Sequence, residues 1–115
     1  MFKELGQLAS LMRQMPQLSK MKEEMESLQK RLDEIVAEGD AGGGMVKVRV
    51  NGKMEVTACS ISDEAMSDRE MLEDLIRAAV NQALSKARLQ AAEETSKMAG
   101  NLGLPPGLNL PGLGG

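Results

Sequence analysis

Between Leu18 and Ile35, apolar residues fall at 18, 21, 25, 28, 32 and 35, alternating steps of three and four. That spacing lays one narrow stripe along a helix and predicts a partner helix for it. Leu11 keeps the phase, whereas Leu8 and Met15 lie one position off, with Pro16 at the mismatch. The pattern therefore predicts a helix from about Gln17 to about Glu38, preceded by a kinked or frayed segment that begins near Lys3 or Glu4. Gly39, Asp40 and the run Gly42-Gly43-Gly44 then read as a helix stop and a turn. A phosphate-cradling loop is the competing reading of the glycine run. It is set aside because the run lacks both a preceding strand and a closing Lys-Ser/Thr pair.

From Met45 to Ile61 the period changes to two. Val46, Val48 and Val50 alternate with Lys47 and Arg49, and after Asn51-Gly52, Met54, Val56 and Ala58 alternate with Glu55, Thr57 and Cys59. This is the pattern of a β-hairpin. A two-residue turn would set Val48 against Glu55, whereas a three-residue loop, Val50-Asn51-Gly52, sets Val48 against Met54, Val46 against Val56 and Lys47 against Glu55. The three-residue loop is the predicted register. A hairpin alone is marginal, so a third strand from the residues before Met45 or after Ile61, or a second copy's hairpin, is expected beside it.

Ser67-Asp68-Arg69-Glu70 is a capping-box pattern that opens a second helix. Its apolar positions Met71, Leu72, Leu75, Ile76, Ala79, Val80, Ala83, Leu84 and Ala87 form a broad stripe whose alanines permit another backbone to come close. The helix is predicted to end near Met98. Residues 99–115 hold six Gly and three Pro and read as a disordered tail, although Leu102, Leu104, Leu108, Leu110 and Leu113 offer apolar contacts. The predicted organisation is a flexible or kinked N-terminal segment (1–16), an α-β-β-α dimerising domain (17–98) and the Pro/Gly-rich tail (99–115). The fold class is α+β: a long helix, a small antiparallel sheet and a long helix. Because the hairpin joins the end of one helix to the start of the other, the opposite helix ends are expected to project together as an arm.

Composition sharpens this. The chain has 115 residues, one aromatic residue (Phe2), and no Trp, Tyr or His. A core of Leu, Met, Val and Ala buries modest area per residue, so self-association as a homodimer is expected to complete it. The single Cys59 has no internal disulfide partner, no secretory-type apolar run opens the chain, and no segment is as apolar as a membrane span. A soluble protein in a reducing, cytoplasmic setting, without a membrane partner, is the expectation.

The chemistry available is narrow. With no His, and with Cys59 in a predicted strand far from any candidate base, no catalytic residue is assigned and the protein is expected not to be an enzyme. Asp33, Glu34, Glu38 and Asp40 match no calcium loop, so neither a metal site nor a cofactor is expected, nor a small-molecule substrate. Glu23 and Glu24 near Lys20, and Glu34 near Lys30, read as helix-face ion pairs. The ten methionines, Met12, Met15, Met21 and Met25 among them, read first as core filling and second as an adaptable peptide-binding surface. Net charge is −3, so any nucleic-acid contact must come from local patches. Arg13, Lys20 and Lys22 toward the free end of the first helix, and Lys86, Arg88 and Lys97 toward that of the second, are expected to be neighbours and form the candidate DNA-binding set. Lys47, Arg49 and Lys53 on the hairpin form a possible second DNA patch. Glu23, Glu24, Glu93 and Glu94 make the arm mixed in sign, and a merely solvated face is the plain alternative for these residues.

Four stretches, in order, resemble the YbaB/EbfC family of bacterial nucleoid-associated proteins: MRQMPQLSKMKEEMESLQKRL (12–32), GGGMVKVRVNG (42–52), MLEDLIRAAVNQA (71–83) and LPPGL (104–108). The resemblance covers nearly the whole chain. It implies a small, tweezer-shaped α+β homodimer that binds duplex DNA without enzymatic activity, a cytoplasmic location at the nucleoid, and DNA contacts carried by the projecting helices. The first functional reading is a dimer that clamps duplex DNA through phosphates with little base readout. The alternative is a Met-rich helical protein-interaction or chaperone-like module, and a third reading is a structural coiled-coil adaptor.

Overall fold

In the computed structural model, which describes residues 6, 7 and 16–103, the elements follow one another as α1 (Pro16–Glu34), β1 (Ala37–Ala41), β2 (Val46–Val50), β3 (Val56–Ile61), a one-turn helix α2 (Asp63–Met66) and α3 (Arg69–Asn101). Residues 8–15, and with them Arg13, lie outside the described residues. The class is α+β, with a three-stranded antiparallel sheet in the order β1-β2-β3 between two long helices. Pro16 stands at the first position of α1, where its missing N–H costs nothing and its fixed φ suits the helix.

The first helix ends at Glu34, not Glu38, and the residues Ala37–Ala41 are the third strand. AEGDA carries no β-branched or aromatic residue, so its strand state comes from its neighbours. Ala37 to Ala41 pair antiparallel with Val50 to Val46, and α3 lies against the strand's inner face. A Cβ on Gly39 would strike the Ala79 carbonyl oxygen and stand 2.6 Å from the Ala83 nitrogen. Glycine in the strand and alanine at 79, 83 and 87 together let sheet and helix backbones meet. Asp40 N–H adds a hydrogen bond of 2.7 Å to Oε1 of Gln82. The glycine run is accordingly the β1–β2 turn, with Gly42, Gly43 and Gly44 all at positive φ, and is not a helix stop.

Val46, Val48 and Val50 face inward as their alternation predicted, but the hairpin register differs from the three-residue loop. Val50 pairs with Val56, Arg49 with Ala58 and Val48 with Cys59, with an irregularity between Arg49 and Val50. Asn51 causes the change. Buried, it accepts the Lys53 and Glu55 N–H groups on Oδ1 (2.9 and 3.1 Å) and donates from Nδ2 to Glu55 Oε1 (3.1 Å). This Asx-type network builds a loop over residues 51–55, with Met54 at φ 64°. Gly52 N–H donates to the Leu32 carbonyl at 2.8 Å, fastening the loop to the end of α1.

Ser62 caps α2 by accepting from Ala65 N–H at 3.2 Å. The cap of α3 is Asp68, whose Oδ1 accepts from Met71 N–H at 3.1 Å, one residue later than the Ser67 box predicts. Ser67 is already engaged, donating its hydroxyl to the Glu64 carbonyl at 2.7 Å.

Two separate apolar clusters result. Under the sheet, Ala37, Val46, Val48 and Val50 pack on Ala79, Ala83 and Ala87, with Leu72, Leu75, Ile76, Val80 and Leu84 around them. Beyond the sheet, α1 and the second half of α3 run antiparallel as an arm whose core is Leu28, Leu32 and Met98, flanked by Ile35, Ala91 and Leu102. The helix continues to Asn101, three residues past its predicted end, because Met98, Ala99 and Leu102 still find cover against α1. The stripe that opened the sequence is thus used in its C-terminal half. Leu18, Met21 and Met25 remain 44, 44 and 37% exposed.

Candidate nucleic-acid interface

Contacts across the arm fix its levels. Leu28 meets Met98, Arg31 Nε lies 3.1 Å from Glu94 Oε2, and Asn101 Nδ2 donates to Glu24 Oε2 at 3.4 Å. Lys20 and Lys22 therefore stand at the tip, at or past the end of α3. Lys97 lies about one and a half turns inward, 3.4 Å from Glu94 Oε1, so that Glu94 serves two cations at once. Lys86 and Arg88 do not join them. Lys86 sits at the root of the arm, donating from Nζ to the Glu38 carbonyl at 2.9 Å, with Arg88 close behind. Eleven residues of helix, about 16 Å, separate Lys86 from Lys97. The expectation that the two groups would be neighbours fails because β1 and β2 occupy the first half of α3, leaving only its second half for the arm.

The expected helix-face pairs of Lys20 with Glu23 or Glu24, and of Lys30 with Glu34, do not form. Among the described residues Lys20, Lys22, Lys30 and Arg88 have no carboxylate at ion-pair distance and all four are exposed. Lys30, at the level of Ser96 and Lys97, is a further cation of the arm. Its spacing from Glu34 predicts an ion pair, and the side-chain geometry shows none.

The hairpin cations are placed differently. Arg49 Nε is 3.2 Å from Glu38 Oε2, Lys53 Nζ is 2.9 Å from Asp33 Oδ1, and Lys47 is the register partner of Asp40. Arg49 and Lys53 are thus paired with carboxylates, while Lys47 has none at ion-pair distance among the described residues. With Ala58, Cys59 and Ser60, Glu38, Lys47 and Arg49 line a shallow open depression on the outer sheet face. Among the described residues, Glu38 offsets Arg49 there and Lys47 is left without an ion pair. Asp33 and Glu38 are likewise taken up by these pairs, and no group of three acidic or thiol ligands converges among the described residues. No helix among them is long and apolar enough to cross a membrane.

The β3 strand is the other unusual surface. All six of its residues are exposed, because α3 covers β1 and β2 only. Val56 is 53% and Ile61 37% exposed. The strand VTACSI contains no charge and no proline, the devices that usually protect a free sheet edge from pairing.

These features define a small α+β protein with an open sheet edge at one end and a two-helix arm carrying uncompensated lysines at the other. The chain belongs to the YbaB/EbfC DNA-binding family, whose model matches residues 6–102. A nucleoid-associated protein of Bordetella avium is 45% identical over 107 residues, 92% of this chain and 96% of the relative. One from Chlorobium luteolum is 49% identical over 88 residues, 76% and 81% of the two chains. Among solved structures, the crystal structure of an uncharacterized protein from Helicobacter pylori superposes with a TM-score of 0.61 at 26% identity, covering 89% of this chain and 96% of that one.

Proposed function

We propose that the protein is a nucleoid-associated, non-enzymatic DNA-binding protein of the bacterial cytoplasm that works as a homodimer, each protomer offering one arm to the phosphates of duplex DNA. The observation that carries this is the arm itself, which projects past the sheet and ends in Lys20 and Lys22, without carboxylate partners among the described residues, in a chain whose matched relatives are named nucleoid-associated proteins. Dimerisation is supported by the unprotected β3 edge. Pairing β3 with its copy satisfies the backbone groups of the alternate residues that point away from β2 and covers Val56 and Ile61. The two arms then stand on a shared base as a clamp.

Phosphate contact through lysine carries little base information, so the clamp reads position and shape in preference to sequence. Lys20 and Lys22 are its primary contacts, Lys30 and Lys97 flank them, Lys86 and Arg88 mark the inner limit of the cleft, and Arg13 belongs to the segment before Pro16. The test is Lys20→Ala with Lys22→Ala in one chain, set against Lys47→Ala with Arg49→Ala. The first pair is expected to weaken duplex binding at least tenfold with the sedimentation coefficient unchanged, and the second to have a small effect. The reverse ranking moves the interface to the sheet. Binding that ignores both pairs but yields to an apolar peptide favours the interaction-module alternative, which the exposed Met21 and Met25 support.

A further inference from the structure

Asn51-Gly52 carries chemistry as well as a turn. Of the asparagines in the chain, Asn51 alone is followed by glycine, whose backbone nitrogen has no side chain beside it to shield it. In such a pair that nitrogen is an intramolecular nucleophile for the asparagine amide carbon, and ring closure between them expels ammonia.

The loop treats the two partners in opposite ways. Asn51 Oδ1 accepts the N–H groups of Lys53 (2.9 Å) and Glu55 (3.1 Å), an arrangement that stabilises negative charge developing on that oxygen. Nδ2, the nitrogen that would leave, donates to Glu55 Oε1 at 3.1 Å, so a carboxylate stands ready to relay a proton to it. The nucleophile, however, is occupied. Gly52 N–H donates to the Leu32 carbonyl at 2.8 Å, and a Cβ on Gly52 would stand 2.8 Å from that oxygen and from Ile35 Cδ1. Both residues of the pair are buried. The end of α1 therefore lies over the peptide unit, holding its proton and excluding water. That cover lasts only while α1 is docked, through Leu28 and Leu32 against Met98.

We propose that Asn51 is a self-modification site gated by the arm. When α1 lifts from the loop, the Gly52 nitrogen attacks Asn51 Cγ: the N–Cγ bond forms, the Cγ–Nδ2 bond breaks, and the Gly52 proton leaves on Nδ2 as ammonia by way of water and Glu55. Water then opens the cyclic imide at either carbonyl, leaving an aspartyl or an isoaspartyl residue at position 51. One water is consumed and one ammonia released. The aspartyl product loses the Nδ2 donor and sets a second carboxylate against Glu55, while the isoaspartyl product adds a backbone atom where β2 enters the loop. Either weakens the seat of α1, so a chain whose arm has opened is marked and stays looser. Neither DNA nor a second copy takes part.

The test follows conversion at position 51 in the full chain at neutral pH by peptide mass mapping. The folded parent is expected to convert about a hundredfold more slowly than the chain unfolded in urea. Leu28→Ala removes packing in the arm and is expected to convert about tenfold faster than the parent, beyond what its unfolded fraction accounts for. Leu72→Ala loosens α3 on the sheet and leaves the arm cluster in place, and its rate is expected to follow its unfolded fraction alone. Leu28→Val, a smaller loss at the same contact, is expected to lie between the parent and Leu28→Ala, and it carries the test if the larger truncation does not fold. Conversion of the folded parent at the rate seen in urea overturns the protection. Rates that follow the unfolded fraction in the Leu28 and Leu72 variants alike overturn the gate.

Discussion

At the scale of single residues, the fold turns on places where a side chain is absent or unusually well held. Gly39 is the sharpest, because α3 backbone occupies the space where a Cβ would stand. Gly39→Ala is expected to cost about 3 kcal/mol or more in urea unfolding, since neither the strand nor the helix backbone can yield locally. Gly43→Ala, at φ 68° with open space around it, is expected to cost about 1 kcal/mol for the left-handed conformation alone. Equal losses at the two sites contradict the close approach. Asn51 is the second such place, and Asn51→Ala removes three side-chain hydrogen bonds in a half-buried loop for about 1–3 kcal/mol. Asn51-Gly52 was legible as a turn from the sequence. Its length was not, because the loop is set by a buried amide and by the Leu32 carbonyl, which is distant in the chain until α1 docks.

At the scale of elements, the periodic ones were legible and the aperiodic one was not. The alternation of β2 and the alanine-bearing stripe of α3 report burial on one face, and both faces are buried as read. β1 has no periodic signal to give: a five-residue segment of small and acidic residues becomes a strand through pairing with β2 and contact with α3. The stripe of α1 was legible as an interface, but a heptad pattern does not say how far the partner helix extends. Its occupied half is testable by substitution. Leu28 and Met98 are almost fully buried against each other. Leu28→Ala and Met98→Ala are each expected to cost about 2–5 kcal/mol, and the double variant less than their sum, because both enlarge one cavity. Full additivity contradicts the shared cluster. For β3, Val56→Lys with Ile61→Lys places charge on an open edge and is expected to yield folded monomers by analytical ultracentrifugation. A dimer that survives both substitutions locates the interface elsewhere.

At the scale of the whole molecule, sheet and arm divide the work. The sheet end holds the Arg49–Glu38 and Lys53–Asp33 pairs and an unprotected edge, suited to joining two chains, while the arm presents exposed Lys20, Lys22 and Lys30 among glutamates such as Glu23, Glu26 and Glu93. This division is what the candidate residues could not reveal in one dimension. Lys86 and Lys97 lie on one helix and look equivalent in sequence, yet one is bound to a strand carbonyl at the root and the other belongs to the arm. It also reconciles a net charge of −3 with DNA binding, because what matters is where cations such as Lys20, Lys22 and Lys30 stand free of carboxylates among the described residues, not the total. Monomers made by charging β3 are then expected to bind DNA much more weakly, each having a single arm.

The central claim, that paired arms hold duplex DNA by phosphate contact, is tested most directly by anisotropy titration of a duplex over a range of salt concentrations. Two lysines from each of two protomers predict log Kobs falling against log salt with a slope of about −3 to −4, steeper if Lys30 and Lys97 take part. Absence of binding at about 50 mM salt, or binding whose affinity does not change with salt, contradicts it.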